Sequence, residues 1–222
     1  MKVVTVLKSG GDFDQEYVKR IYNSIDFNYL SQFEIEFVCL SDMDDVPNKI
    51  PLWNHHVNDP YFKGWWAKME IFRPDILDDD IFYLDLDTVI VKPIEEFLTT
   101  LKYVSMPIFL NDFYYPEKLA TGMMFIPKHI RRHIWDDWDI CPEYWMQNLR
   151  GDQNFIAENM KDNYYLWGTF NDMVKDFTCS YKAHIIKKYP QHLSPLKVDA
   201  TKSSVVCFHG SPRPHEVNWQ IN

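Results

Sequence analysis

The chain has no excess of basic charge: 23 Lys and Arg face 32 Asp and Glu, a formal net charge of -9. That argues against a basic stripe for nucleic acid and against a polybasic membrane patch. The short clusters Arg131-Arg132 and Lys187-Lys188 read as solvated surface. Close-set cysteines are lacking too. Cys39, Cys141, Cys179 and Cys207 are scattered without a CxxC spacing, which rules out a zinc knuckle and reads as reduced core residues. The opening MKVVTVLKSGG carries too short an apolar run for a signal peptide or a membrane span. A cytoplasmic protein with no transmembrane segment is therefore expected. The turn Lys8-Ser9-Gly10-Gly11-Asp12 has neither the Lys-Ser/Thr ending of a P-loop nor the spacing of a GxGxxG fingerprint. Repeats, low-complexity segments and linkers are missing. The 222 residues, 46% of them hydrophobic, are read as one domain with a sizeable core.

What is present has the pattern of an α/β sheet. Val3 to Leu7 is a compact β-branched run stopping at the glycine turn, which predicts a buried strand. Asp12 with Gln15 reads as a capping box for a helix over Gln15 to Ile25, with Tyr17, Ile21 and Ile25 on one face. Ile35 to Leu40, closed by Ser41-Asp42, is a second strand, so the chain opens as strand, helix, strand. Asp44 to Pro60 reads as loop. Gly64 to Arg73 reads as a helix stopped by Pro74. Ile81 to Leu84 is the strongest strand. It leads into Asp85-Leu86-Asp87 and continues extended over Thr88 to Val91. A Thr121-Gly122 turn precedes the apolar run Met123 to Ile126, and Gly151 opens a helix over Asp152 to Met160. Ser203 to Phe208 is a further buried strand delivering His209-Gly210. The Trp- and Asp-rich stretch from Trp135 to Trp145 reads as an insertion or lid. Aromatics reach 16%. Most of them are expected to fill the core, although their faces also suit bases and sugars.

Five segments are candidates for chemistry. In an extended Asp85-Leu86-Asp87 the two carboxylates face the same way. Charge at the end of a buried strand is costly unless paired or metal-bound. Hard oxygen donors suit Mg²⁺ or Mn²⁺, which can clamp a diphosphate, and sheet ends are where α/β proteins bind ligands. The plainer alternative is a solvated turn cap. His209 is either a satisfied core histidine or a third ligand whose nitrogen shifts preference toward Mn²⁺. Arg213 is an ordinary surface arginine or a guanidinium for phosphate. Asp152 and Gln153 either cap their helix or hydrogen-bond sugar hydroxyls in a pocket. Lys68 is either solvated or within reach of a donor phosphate or ribose. In the Lys8–Asp12 turn, glycines permit close backbone approach to a ligand.

Taken in order, these segments resemble the nucleotide-sugar glycosyltransferases of the GT-A fold. The closest likeness is to the glycogenin and bacterial lipopolysaccharide galactosyltransferase family. It runs from the first strand to Pro214 through VVTVLKSGGDFDQEY, GWWAKMEIFRP, IFYLDLDTVIV, ATGMMFIP, GDQNFI and VVCFHGSPRP. The resemblance implies a Rossmann-like mixed central sheet flanked by helices in a single domain. Residues 1–110 would form the nucleotide-binding half and 111–222 the acceptor and donor-sugar half. Asp85, Asp87 and His209 would hold the metal, and Lys68 and Arg213 would contact the donor. Asp152 and Gln153 would sit at the transferred sugar, with Gly122 beside it. Ser9 and Asp12 would lie near base and ribose, and Gly210 would belong to the terminal donor segment. The chain departs from the family at Ala120-Thr121, where an Asn is common, and at His215, where an aromatic is expected. It also has a shortened His209–Arg213 spacing and an Arg at 213 in place of the commoner Lys.

The activity so implied is Mn²⁺-dependent (or Mg²⁺-dependent) transfer of a hexose from a UDP-sugar, with retention of configuration. The acceptor would be a glycan, a lipid-linked sugar or a small molecule. Two other readings compete. IFYLDLDT also fits the DxDxT pattern of haloacid-dehalogenase-type phosphatases, with Asp85 as nucleophile, although a strand–helix–strand unit precedes it and Ile156 stands where a second acid should fall. A non-catalytic nucleotide-sugar-binding module is the third.

Overall fold

The computed structural model describes residues 1–53, 58–75, 78–161, 163–166, 176–187, 194, 196–217 and 219. Its centre is β1 (Lys2–Leu7), with β2 (Glu36–Ser41) on one side and β4 (Ile81–Leu84) on the other, both parallel to it. The three strands read as almost unbroken apolar runs because helices cover both faces of the sheet. Alternation along β1 sends Val3 into one core cluster and Val4 into the other. The sheet extends to seven strands in the order β3-β2-β1-β4-β7-β6-β8. Its outer members are β3 (Lys49–Pro51), β6 (Ile108–Asn111), β7 (Leu119–Ile126) and β8 (Tyr165–Leu166). β7 runs antiparallel to both β4 and β6, so the sheet is mixed, as expected.

One face is covered by α1 (Gln15–Asn23), α2 (Phe27–Ser31) and α3 (Glu95–Leu101). Tyr17, Ile21 and Ile25 are buried there together. The cap of α1 is Asp14, whose carboxylate accepts from the Glu16 amide at 3.0 Å, and not Asp12. The other face carries a 3₁₀ helix (Gly64–Phe72), α4 (Lys128–Ile140), α5 (Pro142–Asn148) and α6 (Asp152–Met160). Here the structure corrects the sequence reading. Trp135 to Trp145 is no lid: Ile134, Trp135, Trp138 and Met146 are buried in the second core cluster. Trp66 stacks on Trp138 at 5.2 Å between ring centres. The expected Thr121-Gly122 turn is likewise part of β7, where the register shift between Phe109 and Leu110 marks an irregularity in its pairing with β6. The loop expected over Asp44 to Pro60 contains edge strand β3, and residues 54–57 of it lie outside the described residues, as does Lys188.

The extended run expected after Asp87 does not continue the main sheet. Asp85-Leu86-Asp87 makes a turn, with the Thr88 amide donating to the Asp85 carbonyl at 3.1 Å. β5 (Thr88–Ile90) then enters a second sheet, pairing antiparallel with β10 (Val205–Cys207). β9 (Thr178–Ser180) completes that sheet, parallel to β10. This small sheet brings the end of the chain to the carboxyl end of β4. Cys39, Cys179 and Cys207 are buried free thiols, whereas Cys141 is exposed, against the expectation that all four are in the core. Among the described residues no helix is long and apolar enough to cross a membrane.

Candidate active site

A cavity of about 760 Å³ opens at the carboxyl ends of β1 and β4, well within the size range of small-ligand sites. Its wall includes Ser9, Asp12, Lys68, Asp85, Asp87, Gly122, Asp152, Gln153, His209 and Arg213. Ten of the eleven residues singled out in the sequence thus meet in one place. Gly210 stands just behind the wall, its amide donating to Asp87 Oδ2 at 3.4 Å.

The floor is an ionic network. Lys68, at 7% exposure, lies 2.9 Å from Asp85 Oδ1 and 2.9 Å from Asp152 Oδ2. Burial by itself would lower the pKa of this lysine. The paired charges of Asp152 and Asp85 outweigh it and hold the pKa above its ordinary value. Thr121 ties the network together, donating to Asp152 Oδ2 at 3.1 Å and accepting from Lys68 Nζ at 3.3 Å. The Tyr83 hydroxyl donates to Asp85 Oδ1 at 2.7 Å, and burial next to that carboxylate pushes the phenol well above its usual range. β7 comes close at Gly122. Its carbonyl accepts from the Asp85 amide at 2.8 Å, and a Cβ there would lie 3.4 Å from Asp85 Oδ2.

The second carboxylate, Asp87, is buried at 8% exposure. Arg213 Nη1 reaches its Oδ2 at 2.5 Å. Burial, reinforced by the neighbouring charge of Asp85, raises the pKa of Asp87 in spite of that partner. Arg213 also lies over the Phe13 ring at 4.7 Å and 3.5 Å from Asp12. It is held by its own segment, whose Glu216 accepts from the Arg213 amide and whose His215 contacts the Tyr17 hydroxyl. His209 and Gly210 both have positive φ, +35° and +89°; they make the bend that turns the chain from β10 toward Asp87.

The His209 side chain faces the cavity, but its Nε2 is hydrogen-bonded to Ser180 Oγ at 2.6 Å and its ring stacks on Phe113 at 5.3 Å. Among the described residues no three His, Cys, Asp or Glu side chains are gathered into a ready-made metal site. The trio Asp85, Asp87 and His209 shares a cavity without converging on one point. The contacts named above fall on Oδ1 of Asp85 and Oδ2 of Asp87, one oxygen of each carboxylate.

No protein-family model matches the chain, and no curated protein matches it by sequence. Solved structures do match in shape. The galactosyltransferase LgtC, in complex with donor and acceptor sugar analogs, superposes with a TM-score of 0.63 at 16% identity, covering 96% of this chain and 89% of that one. The glycosyltransferase GlyE of Streptococcus pneumoniae TIGR4 gives 0.57 at 15% identity, covering 96% and 56%. The bifunctional glycosyltransferase WbbM gives 0.58 at 13% identity, covering 96% and 46%. The fold is that of the GT-A glycosyltransferases.

Within this GT-A fold, several residues of the site escaped the sequence reading. Asp42, at the end of β2, fixes the turn after β1: its carboxylate accepts from the Ser9 amide (2.8 Å), the Ser9 hydroxyl (2.6 Å) and Lys8 Nζ (2.5 Å). These bonds outweigh burial and hold its pKa below the usual carboxylate value. Ser9 therefore lines the cavity with its own polar groups already engaged. Thr121 and Tyr83 were visible only as neighbours of better-known motifs. Asp112, Phe113 and Tyr114 also line the cavity; an acidic and aromatic run after the apolar strand β6 is the signal that could have marked them. Ser180 and Lys182, whose Nζ donates to the His209 carbonyl at 2.7 Å, had no local signal at all.

Proposed function

We propose that the chain is a metal-dependent hexosyltransferase. It moves a hexose from a UDP-sugar, with glucose and galactose favoured, to an acceptor hydroxyl with retention of configuration. The observation that carries this reading is the charge of the cavity. Among the described residues of its wall, Asp12, Asp85, Asp87, Asp112 and Asp152 outnumber Lys8, Lys68 and Arg213. A nucleoside diphosphate adds further negative charge, so a divalent cation must enter with it. The donor chemistry fits Mn²⁺ or Mg²⁺: two carboxylates, each with one oxygen outside the contacts among the described residues, and an imidazole elsewhere in the same cavity. Asp85 and Asp87 would hold the ion, with His209 joining once it releases Ser180. When bound, the metal supplies neutralisation of the charge that grows on the departing diphosphate.

The protein's own groups complete the task. Arg213 exchanges Asp87 for the diphosphate, a planar cation suited to phosphate oxygens. Lys68, fixed as a cation, holds Asp152 in place. Asp152 faces the sugar and stabilises positive charge at the anomeric carbon, and Gln153 orients hydroxyls there. Residues 1–110 supply the nucleotide side, where the Asp42-braced turn with Ser9 and Asp12 meets base and ribose. Residues 111–222 supply the sugar and acceptor side. The phosphatase reading is not favoured: β4 joins an already formed strand–helix–strand unit, and Ile156 is fully buried in the core where a second acid would be needed.

Calorimetry with UDP and Mn²⁺ tests the proposal. Wild type should bind UDP only with the metal, and Asp85→Ala or Asp87→Ala should abolish that binding while circular dichroism stays native. His209→Ala should weaken it less, since a neutral imidazole contributes less charge than a carboxylate. Equal binding by wild type and either Asp variant would refute the assignment.

A further inference from the structure

Two adjacent tryptophans on the 3₁₀ helix have opposite fates. Trp66 is 2% exposed and stacks on Trp138 in the core. Trp65 is 52% exposed and stands in the cavity wall. Among the described residues its indole N–H donates no hydrogen bond and its ring makes no aromatic contact. The neighbour that keeps the edge open is Gly151. Its backbone is extended, φ 176°, a conformation any residue adopts, so backbone freedom does not explain the glycine. Space does: a Cβ there would lie 3.3 Å from Trp65 Nε1. Gly151 leads directly into Asp152 and Gln153, with consecutive Cα atoms about 3.8 Å apart.

An exposed indole whose N–H has no partner among the described residues is an amphipathic surface. Its face takes an apolar ring face and its edge takes a hydroxyl. A pyranose offers both, a patch of C–H bonds on one side and hydroxyls around the rim. We propose that Trp65 is the platform for the acceptor's sugar ring, which makes the acceptor a carbohydrate presented ring-on and not a simple alcohol or a protein side chain. This rests on the glycosyl-transfer reading of the cavity. A ring lying on Trp65 reaches past Gly151 toward the Asp152-Gln153 pair assigned to the donor sugar, so acceptor and donor rings would meet there.

The test separates this inference from the reading beneath it. UDP-glucose and UDP-galactose turnover with Mn²⁺ is followed first without acceptor, then with methyl glucosides, methyl galactosides and lactose, and then with glycerol and a serine peptide. Wild type, Trp65→Ala, Trp65→Phe and, as a surface control, Tyr103→Ala (exposed and outside the cavity wall) are compared. For Trp65→Ala, glycoside transfer is read against the variant's own UDP binding and its own nucleotide-sugar hydrolysis without acceptor. The variant should lose at least tenfold in kcat/KM for the cyclic glycosides, chiefly through acceptor KM. Trp65→Phe should recover part of the loss, and Tyr103→Ala should show none. Wild type that neither binds UDP nor turns over a nucleotide-sugar overturns the underlying reading. Normal donor behaviour combined with unchanged glycoside use in Trp65→Ala overturns the platform alone. A preference for glycerol or the peptide, or no response to any glycoside, does the same.

Discussion

Replacing Lys68 by methionine removes one positive charge from a place where two carboxylates depend on it. Methionine keeps the unbranched stem but lacks the terminal atom, so the cation that lies 5.1 Å from the Tyr83 ring goes with the charge. What is lost is the compensation of Asp152 and Asp85, both 2.9 Å away. Deleting one partner of a buried ion pair costs about 3–5 kcal/mol, because the remaining charge stays out of water without a counter-ion. For a chain of this size that corresponds to a fall in Tm of roughly 6–20 °C. In wild type the raised pKa of Lys68 keeps its contribution whole below the ordinary lysine value, so it is constant from pH 5 to 8. The deficit of the variant is therefore read within that window, by circular dichroism melting at pH 8. A deficit under about 3 °C there would refute the view that Lys68 is the counter-charge of this floor.

Asp87→Asn should act in the opposite sense on stability. Burial and the charge of Asp85 raise the Asp87 pKa, so its ionised form destabilises the ligand-free fold above that pKa, and the penalty fades as pH falls. The variant should melt higher at pH 7 by about 0.5–2 kcal/mol, lose the advantage below about pH 4, and fail to bind UDP with Mn²⁺. Asp42→Ala should cost about 1–2 kcal/mol at pH 7, after allowance for solvent at the turn. The depressed pKa of Asp42 means this cost disappears as pH falls below the usual carboxylate range, which denaturant melts at pH 7 and pH 3 would reveal. A thiol reagent should label one cysteine, Cys141, in the native protein. Burial protects the others, holding Cys39 at about 11 and pushing Cys207 well above the ordinary thiol value. Labelling of two or more at the same rate would contradict the core placement.

The parts legible in the sequence were those governed by local pattern. β1, β4 and α6 fall where apolar runs and the glycine at 151 put them, and IFYLDLD announced acids at a sheet end. The errors have physical reasons. Thr121-Gly122 looks like a turn because small and polar residues usually mark one. Here they lie within β7, where Gly122 passes beside Asp85 and Thr121 bonds Asp152. The Trp135–Trp145 stretch looked detached because its acids hide the helical spacing of Ile134, Trp135 and Trp138, all buried. The two acids of the motif do share a cavity, but through a turn between two sheets and not through the alternation of one strand. Asp42 and Ser180 were illegible because their partners lie 33 and 29 residues away in the chain.

The pairing of β5 with β10 joins Thr88 to Cys207, and it makes the site wait for residues translated long after β4. A growing chain can assemble the parallel strands β2, β1 and β4 while Arg213 is still inside the ribosome. Until β10 slots between β5 and β9, Asp87 has no guanidinium beside it and His209 has no Ser180. Loosening of that three-stranded patch in the finished protein would dismantle the chemistry while leaving the larger sheet standing. Amide exchange at Val206 and Cys207 is therefore expected to be faster than at Val4 and Thr5.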